Sequence, residues 1–292
     1  MRPPWGPNLI DHLFGILTIR WYAICILGGA LLAAVLATFR VRQRGQDPAH
    51  VWNVLTWGML GGVLCARLYY VAFEWDRYAG RSLLAIINPQ SGGLAIHGAL
   101  IGATITTLVY LRRERLPLLP WLDSCVPTLL VGQAIGRWGN FFNQEAYGRP
   151  TTLPWGLDIA SESRIPPYAD LSHYPLTTRF HPTFLYESLW NSGALSLILW
   201  LERYRPRWLK PGDSALWYGC LYSFGRGWIE GLRTDSLCVG AGVLDGSCTG
   251  GLRIAQLVSL VIAALCGLAL AWRHRPGTAS PLHPSTVAVP PH

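Results

Sequence analysis

Arginine, glutamate and histidine are costly inside apolar sequence, and this chain holds several of them there. Arg226, Glu230 and Arg233 stand at i, i+4 and i+7 at the end of the apolar run 213–232, so a helix would carry all three on one face. Such a trio can be an ion-pair ladder and nothing more. The alternative is that Glu230 orients one arginine while the other meets an anion. The densest polar block runs from Gly136 to Gly148 and holds Arg137, Asn140, Asn143 and Glu145 between glycines. Glycine lets backbone bend or pack closely. Arginine suits phosphate, because its planar fork donates two hydrogen bonds and stays charged. His97 lies in the glycine-rich segment 91–102. A lone histidine there can simply hydrogen-bond a neighbour; with a pKa near neutrality it can also accept a proton in a reaction.

Residues of this kind need elements to position them, and the chain offers about seven apolar runs: 16–39, 51–73, 93–111, 118–136, 182–201, 213–232 and 252–272. Each is near the roughly 20 residues that cross a bilayer as a helix. The composition agrees. Charged residues make up 14% of the chain against about 25% in ordinary soluble domains, 51% of residues are hydrophobic, and the mean hydropathy is +0.27. Fourteen tryptophans and twelve tyrosines suit helix ends at a headgroup interface. A basic pI near 9.3 does not point to nucleic acid, because the arginines cluster between apolar runs. The clusters are Arg40, Arg42 and Arg44; Arg112, Arg113 and Arg115; Arg203, Arg205, Arg207 and Lys210; and Arg273 and Arg275. They occupy every second connection, the expected cytoplasmic ones. The expectation is an all-α polytopic membrane protein with about seven transmembrane helices, its N-terminus outside and its C-terminus cytoplasmic.

In that frame the polar residues share a level. Arg20 and Tyr22, Arg67, His97, Arg137 with Asn140, Tyr186 with Glu187, and Arg226 through Arg233 all fall in the outer part of their spans. Any one of them could be a snorkelling or packing residue. Six separate segments at one depth favour a site. Asp123, near the inner end of the fourth span, is the main exception.

The seven cysteines form no metal-binding spacing. Cys25, Cys65, Cys125, Cys220 and Cys266 lie in apolar runs, where free cysteine behaves as a small hydrophobe. Cys238 and Cys248 share one polar loop expected outside, where an oxidising compartment permits a disulfide; two free thiols are the other reading. The first apolar run has no small-residue cleavage site after it and reads as a retained span. The stretch 137–181 reads as a long functional loop. Residues 1–275 read as one transmembrane catalytic domain, and 276–292 as a disordered cytoplasmic tail rich in Pro, Ser, Thr and His. No internal repeat is visible, which weighs against transporter folds built from repeats.

In this order, the segments Arg20-Trp21-Tyr22, Gly93 to Gly102, Arg137 to Gly148, His181 to Glu187 and Arg226 to Arg233 resemble the prolipoprotein diacylglyceryl transferases. The Arg137–Gly148 block is the most specific of them, and the likeness spans about residues 16–272. The resemblance implies a multi-pass enzyme of the bacterial inner membrane. Such an enzyme moves the diacylglyceryl group of phosphatidylglycerol onto the lipobox cysteine of a preprolipoprotein signal peptide, forming a thioether and releasing glycerol 1-phosphate. It implies no metal and no diffusible cofactor; its partners are those two substrates and membrane lipids, not nucleic acid. It also marks Tyr22, His97, Arg137, Asn140, Glu145, Gly148, Arg226 and Glu230 as important. A thiolate is the competent nucleophile, so His97 is the candidate base. Arg137 and Arg226 are candidate stabilisers of the phosphate leaving group. Tyr22 and Asn140 are candidates to position the lipid head, and Glu145, Gly148, Glu230 and Arg233 to complete the binding site. The alternative is a transporter or flippase for an anionic lipid or solute, which would use the same arginines as a pathway and need polar groups in both halves of the bilayer. A rhomboid-type protease is excluded because no suitable serine element accompanies His97.

Overall fold

A computed structural model describes residues 1, 3, 6–13, 17–80, 82, 93–239 and 252–276. The chain is predominantly helical, and each of the seven apolar runs contains helix. Among the described residues the helices are α1 (Trp21–Gln43), α2 (Ala49–Phe73), α3 (Ile96–Arg113), α4 (Leu118–Cys125), α5 (Leu129–Asn143), α6 (Thr183–Tyr204), α7 (Asp213–Glu230) and α8 (Ile254–Arg273). Among the described residues, four spans are long and apolar enough to cross a membrane: α1, α2, the α4–α5 run Leu118–Asn143, and α8. The fourth run is not one straight helix. Pro127 cannot donate an amide hydrogen bond, and a 3-10 turn at Val126–Thr128 separates α4 from α5.

Two expectations are corrected. The chain is not wholly α. Residues 17–20 of the first run form β2 (Leu17–Arg20) with β1 (Asn8–Leu13), so α1 starts at Trp21 with Arg20 at its N-cap. The stretch 137–181 is not one long loop either. Its first seven residues complete α5, and the rest carries the antiparallel sheet β3-β5-β4, with β3 (Pro150–Thr151), β4 (Leu157–Asp158) and β5 (Arg179–Phe180). Tyr147, Leu157, Ile159, Phe180 and Phe184, two of them from the sheet itself, form one buried cluster. Apolar burial gives this small polar-rich segment a core of its own. A further strand pair, β6 (Cys238–Val239) with β7 (Leu252–Arg253), precedes α8. Cys238 is disulfide-bonded, and its expected partner Cys248 lies outside the described residues, as does the tail from residue 277.

Helix pairing follows from small residues. Gly98 and Gly102 face α2 one turn apart on α3; a Cβ at Gly102 would lie 2.4 Å from the Gly61 carbonyl oxygen, and one at Gly98 would lie 2.5 Å from that of Cys65. Backbones can approach this closely only without side chains, the usual device of helices in lipid. Elsewhere α1 packs on α5, α5 on α6, α6 on α7, and α7 on α8.

At the expected inner end, several charged residues pair with one another or with helix-start amides. Asp123 accepts the Gly212 and Ala215 amides at the start of α7, at 2.5 and 3.1 Å. A carboxylate there satisfies amides that a helix start leaves unpaired. Buried Arg40 forks onto Glu202 at 2.8 and 2.9 Å, and Arg44 joins it. Asp213 pairs with Arg273 at 2.7 Å. Asp123, the inner-half exception, is thus a helix cap rather than a step on a pathway.

Candidate active site

Glu187, in the first turns of α6, is 3% exposed and has three arginines around it. Arg137 Nε lies 2.5 Å from its Oε2, Arg226 Nη1 lies 3.1 Å from its Oε1, and Arg233 Nη1 lies 3.6 Å from the same oxygen. Glu230, 2% exposed, pairs with Arg226 at 2.7 Å and faces Arg233 at 3.9 Å. Arg233 also forks onto Asp235, at 2.9 and 2.6 Å. Burial raises the Asp235 pKa, but the Arg233 hydrogen bond and the arginine charges outweigh it and hold the carboxyl below its usual range. Buried charges persist when they are paired and hydrogen-bonded. Here three guanidiniums from α5, α7 and the turn after α7 are matched by carboxylates on α6, α7 and that turn.

The Arg226–Glu230–Arg233 trio has a further partner, because Arg226 and Arg233 both reach Glu187 on the neighbouring helix. Arg233 is the most fully engaged of the three. Arg137 is the least. Its Nη1 meets Asn140 Oδ1 only at 3.5 Å, and its Nη2 has no protein partner among the described residues. A guanidinium carries five N–H donors, so Arg137 keeps capacity for an anion.

The rest of the Gly136–Gly148 block holds this arrangement in place. Arg137 and Asn140 lie in the last two turns of α5, not beyond its end. The helix stops at Gln144, in the left-handed region at φ 52°, and the Glu145 amide reaches back to the Asn140 carbonyl at 3.0 Å. That is a Schellman-type ending. It turns the Glu145 carboxylate back to accept Asn140 Nδ2 at 2.8 Å and Asn143 Nδ2 at 3.4 Å. Ala146, at φ 57°, is a second left-handed residue. Two such non-glycine positions in three residues are backbone strain of a kind that clusters at functional sites.

Gly148 sits where three segments meet. Its amide donates to the His181 carbonyl at 2.9 Å, it bridges to Arg233, and a Cβ there would lie 2.7 Å from the His181 Cβ. Its neighbour Arg149 donates its amide to the Leu232 carbonyl. Gly148 thus joins the α5 turn to the start of α6 and the end of α7. Gly139 does a similar service two residues after Arg137. A Cβ there would come within 2.7 Å of the Tyr22 ring, so glycine lets α1 lay that ring against α5. Trp21 stacks on Phe142 at 5.1 Å beside it.

His97 stands apart from the arginines. It is exposed on the first turn of α3, its ring is tilted against Tyr69 at 6.2 Å, and it has no hydrogen-bond partner among the described residues. Arg67, 1% exposed, is on the same helix pair; it lies over the Tyr78 ring and donates to the Gly93 carbonyl at 3.2 Å. The structure therefore brings together Arg137, Asn140, Glu145, Gly148, Arg226, Glu230 and Arg233, and seats Tyr22 against the same turn of α5. It leaves His97 on the α2–α3 pair. Sequence reasoning missed Glu187 as the hub and Asp235 as a partner. The signal for Glu187 was present: one carboxylate in an apolar run opposite three arginines needs a charge partner.

Residues 8–273 match the family model described as prolipoprotein diacylglyceryl transferase. A phosphatidylglycerol–prolipoprotein diacylglyceryl transferase from Chloroflexus aggregans is 53% identical, covering 94% of this chain and 92% of the relative. Proteins of the same name from Synechococcus elongatus and Gloeobacter violaceus are 46% and 43% identical, covering 91% and 92% of this chain and 87% and 93% of theirs. With a family model over most of its length, an arginine cluster held on a buried glutamate, and apolar helices to carry it, the chain belongs to the prolipoprotein diacylglyceryl transferase family.

Proposed function

We propose that this enzyme takes the diacylglyceryl group from phosphatidylglycerol and places it on the lipobox cysteine of preprolipoproteins, the first step of lipoprotein maturation. The thiolate sulfur attacks the glycerol carbon that bears the phosphate. A C–S bond forms as the C–O bond breaks, and the electron pair leaves with glycerol 1-phosphate. The observation that carries the reading is Arg137: a guanidinium fixed at one edge by buried Glu187, with Nη2 still free of protein partners among the described residues. A donor oriented in advance stabilises charge growing on a phosphate oxygen without reorganising during the reaction. Arg226 adds positive charge from α7, positioned by Glu187 and Glu230. Asn140 and Tyr22 position the lipid head, with Glu145 fixing Asn140. Gly148, Glu230 and Arg233 complete the frame of the binding site. His97 takes the thiol proton, its exposed ring leaving room for the peptide.

The same proposal holds residues 1–275 to be one catalytic unit of the bacterial inner membrane. It has seven spans, with the N-terminus outside and the C-terminus in the cytoplasm. The alternating arginine clusters support that orientation.

The test is direct. Purified protein incubated with phosphatidylglycerol and a lipobox peptide should add one diacylglyceryl mass to the cysteine, and nothing to a peptide with serine there. No mass gain with active-quality protein, or an equal gain on the serine peptide, would overturn the assignment of donor and acceptor.

A further inference from the structure

Between α6 and α7 lies an apolar groove of about 440 Å3, which the reaction as described does not use. Tyr186, Leu189, Trp190, Gly193 and Leu197 line it from α6, and Trp228 closes it from α7. The α6 residues fall at i, i+3, i+4, i+7 and i+11, a single stripe down one helix face. Over the eleven residues from Tyr186 to Leu197 the stripe rises about 16 Å. That is about one leaflet of a hydrocarbon core roughly 30 Å thick.

The walls are fixed. Trp190 Nε1 donates to the Leu221 carbonyl at 2.8 Å, and its ring lies so close to Gly225 that a Cβ there would come within 2.2 Å. Part-way down the stripe the lining is open at Gly193, since a Cβ there would meet nothing within 4 Å. The upper rim is polar: the Tyr186 hydroxyl lies 3.1 Å from His181 Nδ1 and accepts Trp155 Nε1 at 3.2 Å. Glu187 follows Tyr186 directly, and the Glu187–Arg226 ion pair bridges the same two helices that form the groove.

We propose that this groove seats one acyl chain of the lipid donor and that Gly193 sets how long a chain it accepts. This rests on the diacylglyceryl-transfer reading above. The occupant follows from continuity: a headgroup held by the arginines stands beside the polar rim, and the apolar channel runs from that rim along the helices. Lipid of the bulk bilayer could also lie in the groove, and it would leave donor selection untouched.

Gly193→Phe and Gly193→Leu place side chains across the groove part-way along its length, with Gly193→Ala as the small control. Each is assayed with a lipobox peptide and an equimolar mixture of dipalmitoyl- and dioctanoyl-phosphatidylglycerol, reading the ratio of the two products. That ratio is internal to each preparation, so loss of folded protein cancels from it. The long-to-short ratio should fall by about tenfold or more in the Phe and Leu variants, the discrimination that one or two methylenes provide in an apolar pocket. It should stay near the wild-type value in the Ala variant. An unchanged ratio in the Phe and Leu variants would overturn the groove assignment alone. A wild-type protein that transfers neither lipid would instead overturn the transfer reading beneath it.

Discussion

Glu187 holds Arg137 with one carboxylate oxygen and Arg226 with the other, at 2.5 and 3.1 Å, so that one buried carboxylate on α6 sets two guanidiniums from α5 and α7. This relationship makes Glu187 a positioning residue. Glu187→Gln keeps the shape and removes the charge. It should cost roughly 3–5 kcal/mol of stability, the usual penalty for stranding buried charges. In protein that remains folded, turnover should fall more than the affinity for phosphatidylglycerol. A thermal melt together with separate kcat and KM values checks both. A stable variant with wild-type kcat would show that the arginines hold their places without it.

Arg137 and His97 should fail in different ways. Lysine keeps the charge of Arg137 but cannot bind Glu187 through one edge and present a second donor pair to phosphate. Arg137→Lys should lose roughly 100- to 1000-fold in rate. His97→Asn should also be impaired, but raising the pH should restore part of its activity, because more peptide thiolate then forms unaided. Rates between about pH 7 and 9.5, spanning the ordinary thiol pKa, separate the two. A His97→Asn profile no steeper than wild type would remove His97 as the base.

His181 gives a pH dependence of stability. Burial lowers its pKa from the ordinary value near 6.5, because desolvation disfavours the imidazolium. The folded state therefore binds its proton less readily than the unfolded state does. Its contribution is fully present above about pH 6.5 and is lost as pH falls through the lowered folded value. Wild type should melt at lower temperature at pH 5.5 than at pH 7.5, and His181→Gln should show a smaller difference between the two. An identical acid shift in both proteins would place the titrating group elsewhere.

The arginine clusters make the orientation testable. A cytoplasmic reporter fused after Arg275 should be active, and a reporter placed within 150–175 should report the outer side. Cysteine labelling from each face of sealed vesicles gives a second reading. The opposite pattern would invert the orientation and with it the outer placement of the arginine cluster.

By itself, the sequence determined the class of molecule. Apolar runs of span length, arginines between alternate runs, and ionisable residues within the runs are all local properties, and each carries its meaning without knowledge of a neighbour. The Gly136–Gly148 block and the Arg226–Arg233 trio were legible for the same reason, since a motif or a helix face is contiguous in the chain. What only the tertiary structure decided was pairing. Glu187 is one carboxylate in an apolar run until α5 and α7 bring Arg137 and Arg226 against it. Arg233 passes as a spare cation until α6 brings Glu187 to face it at 3.6 Å. Asp123 resembles a polar outlier until the start of α7 supplies the two amides that it accepts. Gly139 and Gly148 look like turn residues, yet each is small because another segment, Tyr22 in one case and His181 in the other, occupies the space of its side chain. Coulombic and steric partners lie tens of residues apart along the chain, and periodicity within one helix carries no information about which other helix will face it.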